Sequence, residues 1–292
     1  MIIVIKNADY SAKNLGKVEV KKVLNPFTLS AIEASGNTLM TDEQKSALDT
    51  FFENVGAFGS ENSIWSKLDK VYIPFLCSSL SNACINYKTN KLDKELSAER
   101  YTLRNGGITG VTESPGNYTE RVLNEDIAID TRNLSVLCIC MESDISLLGV
   151  SCLVTYNGNS GSNRWYSAIS KSSVGDTIIG FTGISPSGNL NNMIGGHYPI
   201  AHKLLGINIR AVNDITIVQE NSLYNDTSTS AFLEAVGTDT PDKSLGIFTG
   251  SMSNAMSSNA PSVGMMLLGK GFTDTELLLL KSVSETLVEF FK

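Results

Sequence analysis

"NSIWSKLDKVYIPFL", Asn62 to Leu76, has the apolar content of a core segment but follows neither the helical nor the strand period cleanly. Ile64, Trp65, Leu68, Val71 and Tyr72 recur at helical steps, and Pro74 then interrupts a run of Val, Tyr, Ile and Phe. The pattern predicts a short helix that Pro74 stops and turns into the first extended segment.

The stretch before it is helical. "NPFTLSAIEASG" reads as a short helix ended by Gly36. "TDEQKSALDTFFENVGAFG" carries a capping box, with Thr41 as N-cap and Gln44 three residues on. Leu48, Phe51, Phe52 and Val55 form one stripe, and Gly56 and Gly59 supply the stop. The Trp65 segment is expected to pack on that stripe as a helical hairpin. Ahead of these helices, residues 1–24 read as an arm of two strands, with Ile3 and Ile5 in one and Val18, Val20 and Leu24 in the other.

Downstream, from about Tyr101 to Lys270, short β-rich runs such as "LSVLCICM", "RWYSAIS", "GINIRAV" and "VGMMLLG" alternate with Asn, Gly, Ser and Asp. Many short strands without helical spacers indicate an all-β sandwich or barrel. Ala211 to Ile215 reads as a tight hairpin turn. The chain closes on "GFTDTELLLLKSVSETLVEFFK", where Thr273 and Glu276 form a second capping box. Leu277, Leu280, Val283, Leu287 and Phe290 share one face of this amphipathic helix, which must be buried on the helical hairpin or the sandwich.

Composition narrows the function classes. The 292 residues are 42% hydrophobic and only 18% charged, which opposes intrinsic disorder. The net charge is −7, and the densest basic group, Lys17, Lys21 and Lys22, is interrupted by Glu19. A nucleic-acid partner is not expected, because a phosphate backbone needs clustered cations. No run reaches the length of a transmembrane helix, and "MIIVI" is too short for a signal peptide's apolar region, so no membrane partner is expected. The five cysteines, Cys77, Cys84, Cys138, Cys140 and Cys152, include no CxxC pair and read as buried reduced thiols.

Taken in order, these pieces resemble phage virion surface and tail-fibre-type proteins with a concanavalin A-like (laminin G-like) domain, of the kind found in phages of gut Bacteroidetes. In that family a helix runs into a W-x-x-[LI]-D-x-[IVL]-Y stretch, matched here by Trp65, Leu68, Asp69, Val71 and Tyr72. The sandwich closes with a G-x-[ST]-D-x-E turn into a helix, matched by Gly271, Thr273, Asp274 and Glu276. The opening "NADYSAKNLGKV" is also similar. The resemblance implies a mainly β fold: a concanavalin A-like jelly-roll β-sandwich over 77–272, with an N-terminal β-arm at 1–24, a helical segment at 25–76 and a C-terminal amphipathic helix at 273–292. In that architecture Trp65 and Tyr72 plug the helices against the sandwich, a packing role.

Chemistry is sparse. A concanavalin A-like glycosidase needs paired carboxylates reaching one sugar. Asp126 and Asp130 share a strand face, as do Glu142 and Asp144, but neither pair fits the E-x-D-x-x-E arrangement. His197 and His202 flank Pro199 at the wrong spacing for a helical zinc pair, and no G-x-S-x-G nucleophile motif occurs. No catalytic set, cofactor or metal is therefore expected. Asp and Asn in "NDTSTS" and "GTDTPDKS" leave a calcium loop open beside ordinary turns. The loops around Tyr156, Asn157, Asn159, Asn163, Trp165, Asn191, His197 and Tyr198 are the candidate glycan or partner contacts, since aromatic rings stack on sugars while amides bond hydroxyls. Trp165 and Tyr166 are adjacent on a strand, so one of them faces inward.

The expected function is that of a bacteriophage structural subunit, in a tail fibre, head fibre or capsid decoration. It would assemble in the host cytoplasm and reside in the virion. Expected partners are other virion proteins through the arm, further copies of the chain (a trimer foremost) and a host surface glycan. The rival expectation is a carbohydrate-active enzyme or lectin on the same sandwich.

Overall fold

The computed structural model describes residues 22–59, 61–112, 133–142, 201–211, 214–218, 223 and 262–292 with their side chains. It describes the backbone of strands at 122–124, 150–157, 164–171, 177–184, 190–191, 224–226, 244–247, 249–251 and 254–255. Residues 1–21 of the expected arm lie outside this set.

Helix α1 (Pro26–Ser35) starts where the Asn25 side chain accepts from the Phe27 N–H, with Pro26 in the first turn, and ends at Gly36 in the left-handed region. Helix α2 (Asp42–Val55) has the predicted capping box: the Gln44 N–H donates to Thr41 Oγ1 at 3.2 Å and the Thr41 N–H to Gln44 Oε1 at 2.9 Å. Gly56 ends it, also left-handed.

The Trp65 segment departs from the helical expectation. Its helix, α3 (Ile64–Lys67), is a single turn, and Leu68–Tyr72 is already a strand, β1. Pro74 instead opens a 3₁₀ turn over Pro74–Leu76 after that strand. Helical spacing misleads here because β1 is buried at four of its five positions, and a strand covered on both faces has no period-two signature.

The remaining strands follow in chain order: β2 (Ile85–Asn86), β3 (Lys91–Leu92), β4 (Tyr101–Arg104), β5 (Gly107–Gly110), β6 (Val122–Asn124) and β7 (Leu134–Cys140). Then come β8 (Val150–Asn157), β9 (Arg164–Lys171), β10 (Thr177–Ile184), β11 (Leu190–Asn191), β12 (Leu204–Ala211) and β13 (Asp214–Val218). The last are β14 (Leu223–Asp226), β15 (Ser244–Ile247), β16 (Thr249–Ser251), β17 (Asn254–Ala255) and β18 (Val263–Gly269), followed by α4 (Asp274–Glu289). All described pairings are antiparallel.

Among the described residues, a ten-stranded sheet runs β14-β13-β12-β7-β18-β1-β2-β3, with β5 joining β18 and β4 joining β5. A six-stranded sheet runs β11-β10-β9-β8-β15-β6, and β16 and β17 pair separately. The predicted hairpin is the β12–β13 connection, where Ala211 pairs with Asp214.

Register sorts the large sheet into two buried faces. The rows Leu204–Ile139–Met265 and Gly206–Leu137–Leu267–Val71 include the core residues that pack with α2 and α4. The alternate rows, Leu205–Cys138–Met266–Tyr72 and Ile207–Val136–Leu268–Lys70, are equally buried on the other face. Strand β10 of the six-stranded sheet approaches β12 of the large sheet. The main core lies between the helices and the ten-stranded sheet.

Trp65 keys the helical layer. The residue is 8% exposed, and its ring meets Phe27 at 5.5 Å and Phe52 at 5.6 Å, both edge-on, with Lys88 Nζ 4.8 Å from its centroid. Tyr72 points to the opposite face and donates its hydroxyl to Asp93 at 2.5 Å. Helix α4 has the predicted Thr273–Glu276 capping box and buries Leu277, Leu280, Ser284, Leu287 and Val288. Phe290 does not join that stripe. The helix ends at Glu289, and Phe290 is 44% exposed.

Candidate functional site

The ladder of the six-stranded sheet brings part of the predicted contact set into register. Tyr156 pairs with Trp165, Trp165 with Gly183, and Gly183 with Asn191, so three of the candidates occupy one cross-strand row. Asn157 sits one step along, opposite Arg164. Two steps from the Trp165 row is Phe181–Ser167–Val154–Ile247–Val122, and residues two apart on a strand share a face. The row of Tyr156 and Trp165 thus belongs to the more apolar face. Asn157, Arg164, Tyr166, Thr155 and Thr182 belong to the other. Asn159, Asn163, His197 and Tyr198 lie outside the described residues, as do Asp126, Asp130, Asp144 and the candidate calcium oxygens of "GTDTPDKS" before Ser244.

Several of the described carboxylates tie elements of the fold together. Glu142 takes two hydrogen bonds from the Arg104 guanidinium, at 2.7 and 2.6 Å, and a third from Asn105 Nδ2 at 2.8 Å. Asp93 accepts from Lys70 Nζ at 2.7 Å and from Tyr72. Glu285 accepts from Lys203 Nζ and the Leu204 N–H, each at 3.0 Å, and from Lys281. Asp49, buried beneath α1, accepts from the Asn25 N–H at 2.9 Å, Thr28 Oγ1 at 2.7 Å and Lys22 Nζ at 2.9 Å. Burial opposes its charge, but Lys22 and these donors hold its carboxyl below the ordinary value.

Burial also shifts three of the described thiols and the His202 imidazole. Burial pushes the Cys77 thiol up to about 11, with the Tyr87 hydroxyl working the other way, and pushes Cys84 and Cys138 further up. His202 has φ +66° and uses its backbone N–H to bond the Cys140 carbonyl at 2.8 Å. Burial and Lys292 lower its imidazole pKa, while Glu289 works the other way. Among the described residues no group of three or more His, Cys, Asp or Glu is placed to hold a metal ion, and no helix is long and apolar enough to cross a membrane.

What the fold does present is a groove of about 780 Å³ between α2 and α4. The start of α2 is tied to the end of α4 by Gln44 Nε2, which donates to the Phe290 carbonyl at 2.8 Å. Leu24, Ala47, Phe51, Val283, Leu287 and Phe290 supply apolar lining, and Asp42, Glu43, Lys45 and Lys22 supply charges. Sequence reading missed this site because its walls come from opposite ends of the chain. The one available signal was a terminal Phe just past the helix's last turn. Comparison of the chain with protein-family models and with curated proteins found no match.

Proposed function

We propose that the chain is a bacteriophage virion structural subunit, a concanavalin A-like jelly-roll sandwich that acts by assembly and surface display in a tail fibre, head fibre or capsid decoration. One observation carries the reading: the two motif stretches that suggest the family, far apart in sequence, are one physical unit here. Leu68 pairs with Gly269, the Lys270 N–H bonds the Lys67 carbonyl at 2.9 Å, and Lys67 Nζ meets Glu276 Oε2 at 2.7 Å. The W-x-x-L-D-x-V-Y segment thus starts a central strand beside the strand that feeds the G-x-T-D-x-E turn. Residues of both stretches are used for packing and capping, which suits a scaffold. The jelly-roll connectivity, residence in the virion and attachment through residues 1–24 are parts of this proposal.

A second reading, a sandwich that binds or cuts host glycans, draws on the row that joins Tyr156, Trp165 and Asn191. Cleavage and glycan-array assays on the full-length protein separate the two. The structural reading expects no release of reducing ends from polysaccharides, with or without weak glycan binding. Turnover of any polysaccharide would replace it with the enzyme reading.

A further inference from the structure

We propose that the groove between α2 and α4 is the receptor for residues 1–21 of a neighbouring copy of this chain, with the apolar run Ile2 to Ile5 seated against Phe290 and the Val283–Leu287 wall. The inference rests on the assembly reading and names the surface through which assembly occurs.

Four observations lead there. The groove has an apolar lining and a 44% exposed phenylalanine at its end, and no described residue covers that ring's exposed part. An aromatic side chain left half in water beside an apolar trough is the usual anchor point of an interface. The described chain begins on this same groove: Lys22 and Leu24 line it, and Lys22 Nζ is fastened to Asp49 at 2.9 Å and Thr50 Oγ1 at 3.2 Å. Each copy therefore launches its N-terminal segment from the rim of the site that would receive another's.

Reach comes third. The chain from Ile5 to Lys22 spans roughly 55–60 Å when extended. A compact chain of this length has a radius of gyration of roughly 19 Å. The segment is long enough to leave its own body and enter the groove of the next, and "NADYSAKNLG" between the two apolar runs is a polar spacer suited to the crossing. The fourth observation is charge. Lys6, Lys13, Lys17 and Lys21 outnumber Asp9 and Glu19 in the segment, whereas the whole chain carries −7. Asp42 and Glu43 stand exposed on the groove; Lys45 offsets part of their charge from 3.9 Å, and Lys22, the other cation of the lining, is paired with Asp49 at 2.9 Å. Because each copy both gives a segment and offers a groove, the contact is head-to-tail and closes into a ring when the rotation permits.

The test uses full-length protein. A photo-reactive phenylalanine analogue replaces Ile3, isotope-labelled and unlabelled chains are mixed and irradiated, and cross-linked peptides are assigned by mass. In parallel, Phe290→Arg and Thr286→Arg, both at exposed positions, are compared with Leu29→Arg on the exposed side of α1, after thermal melts show that all three fold. The proposal expects mixed-isotope cross-links to α2 or α4. It also expects oligomer dissociation constants raised at least about tenfold by the two groove variants and unchanged by Leu29→Arg. Cross-links confined to one chain, or falling elsewhere, would overturn it. An oligomer that needs residues 1–21 but ignores both groove variants would overturn the groove and leave the assembly reading standing. An oligomer indifferent to residues 1–21, or a monomer throughout, would sink both.

Discussion

Asn208 joins the large sheet to the C-terminal helix, and its replacement by Asp tests the packing argument with almost no change in shape. The side chain is fully buried. Its Oδ1 accepts from the Phe272 N–H at 2.7 Å and from Ser135 Oγ at 2.6 Å, while Nδ2 donates to the Phe272 carbonyl at 2.9 Å. Both backbone groups of Phe272, just before the Thr273 cap, are thus satisfied by one amide. Asn208→Asp keeps the acceptor and turns the donor into an oxygen facing a carbonyl. Ionising that carboxyl in a buried site against another acceptor is unfavourable, so its pKa rises above the ordinary range. The linkage sign follows: a carboxyl with a raised folded pKa leaves the protein least damaged at low pH. Its penalty then grows by about 1.4 kcal/mol per pH unit up to the folded pKa. Between pH 4 and pH 7 the added loss relative to wild type reaches up to about 4 kcal/mol, whereas Asn208→Ala loses a roughly pH-independent 3–5 kcal/mol by leaving the Phe272 groups unpaired. Urea melts followed by tryptophan fluorescence at pH 4, 5.5 and 7 measure both. A variant as stable as wild type at pH 7, or an Asp penalty flat across this range, would refute the assignment of Asn208 as the clasp between β12 and α4.

Trp65→Ala is expected to cost about 3–5 kcal/mol, since it empties the site shared by Phe27, Phe52 and the Lys88 ammonium, while Trp65→Phe keeps most of the packing; thermal melts distinguish them. Asp49→Ala removes an acceptor shared by Asn25, Thr28 and Lys22 and is expected to cost about 3 kcal/mol at pH 7. Because the folded carboxyl lies below its ordinary 3.8, that stabilisation is complete above 3.8 and lost as pH falls through the folded value, so denaturation midpoints of wild type and variant converge in acid. Cys77, Cys84, Cys138 and Cys140 are free, three of them buried and Cys77 half-buried. At pH 8 they should react with a thiol reagent only after unfolding, which mass mapping of the modified peptides checks.

How much could be read in advance depended on whether the signal was local. Thr41–Gln44 and Thr273–Glu276 announced two helix starts because a capping box is written within four residues. Gly36 and Gly56 announced the stops, and Ala211–Asp214 the hairpin. Leu68–Tyr72 reads as helix because its neighbours arrive from the far end of the chain: β18 pairs along one side, and burial of four of its five positions removes the alternation that would mark a strand. Lys70 shows the same effect, a lysine 8% exposed whose ammonium reaches Asp93. Of the candidate contact residues, Tyr156, Trp165 and Asn191 fall in one row because strand register set them there, which spacing along the chain did not reveal. The groove was illegible for a similar reason, since α2 and α4 are separated by most of the sequence.

The account turns on assembly through the N-terminal segment, and the molar mass in solution tests it most directly. Light scattering on the full-length chain and on a chain lacking residues 1–21 makes the comparison; cutting before Lys22 preserves its bond to Asp49. The account predicts a discrete oligomer, a trimer foremost, that becomes a folded monomer when the segment is removed. A full-length chain that is monomeric at all concentrations, or an oligomer unchanged by the deletion, would contradict it.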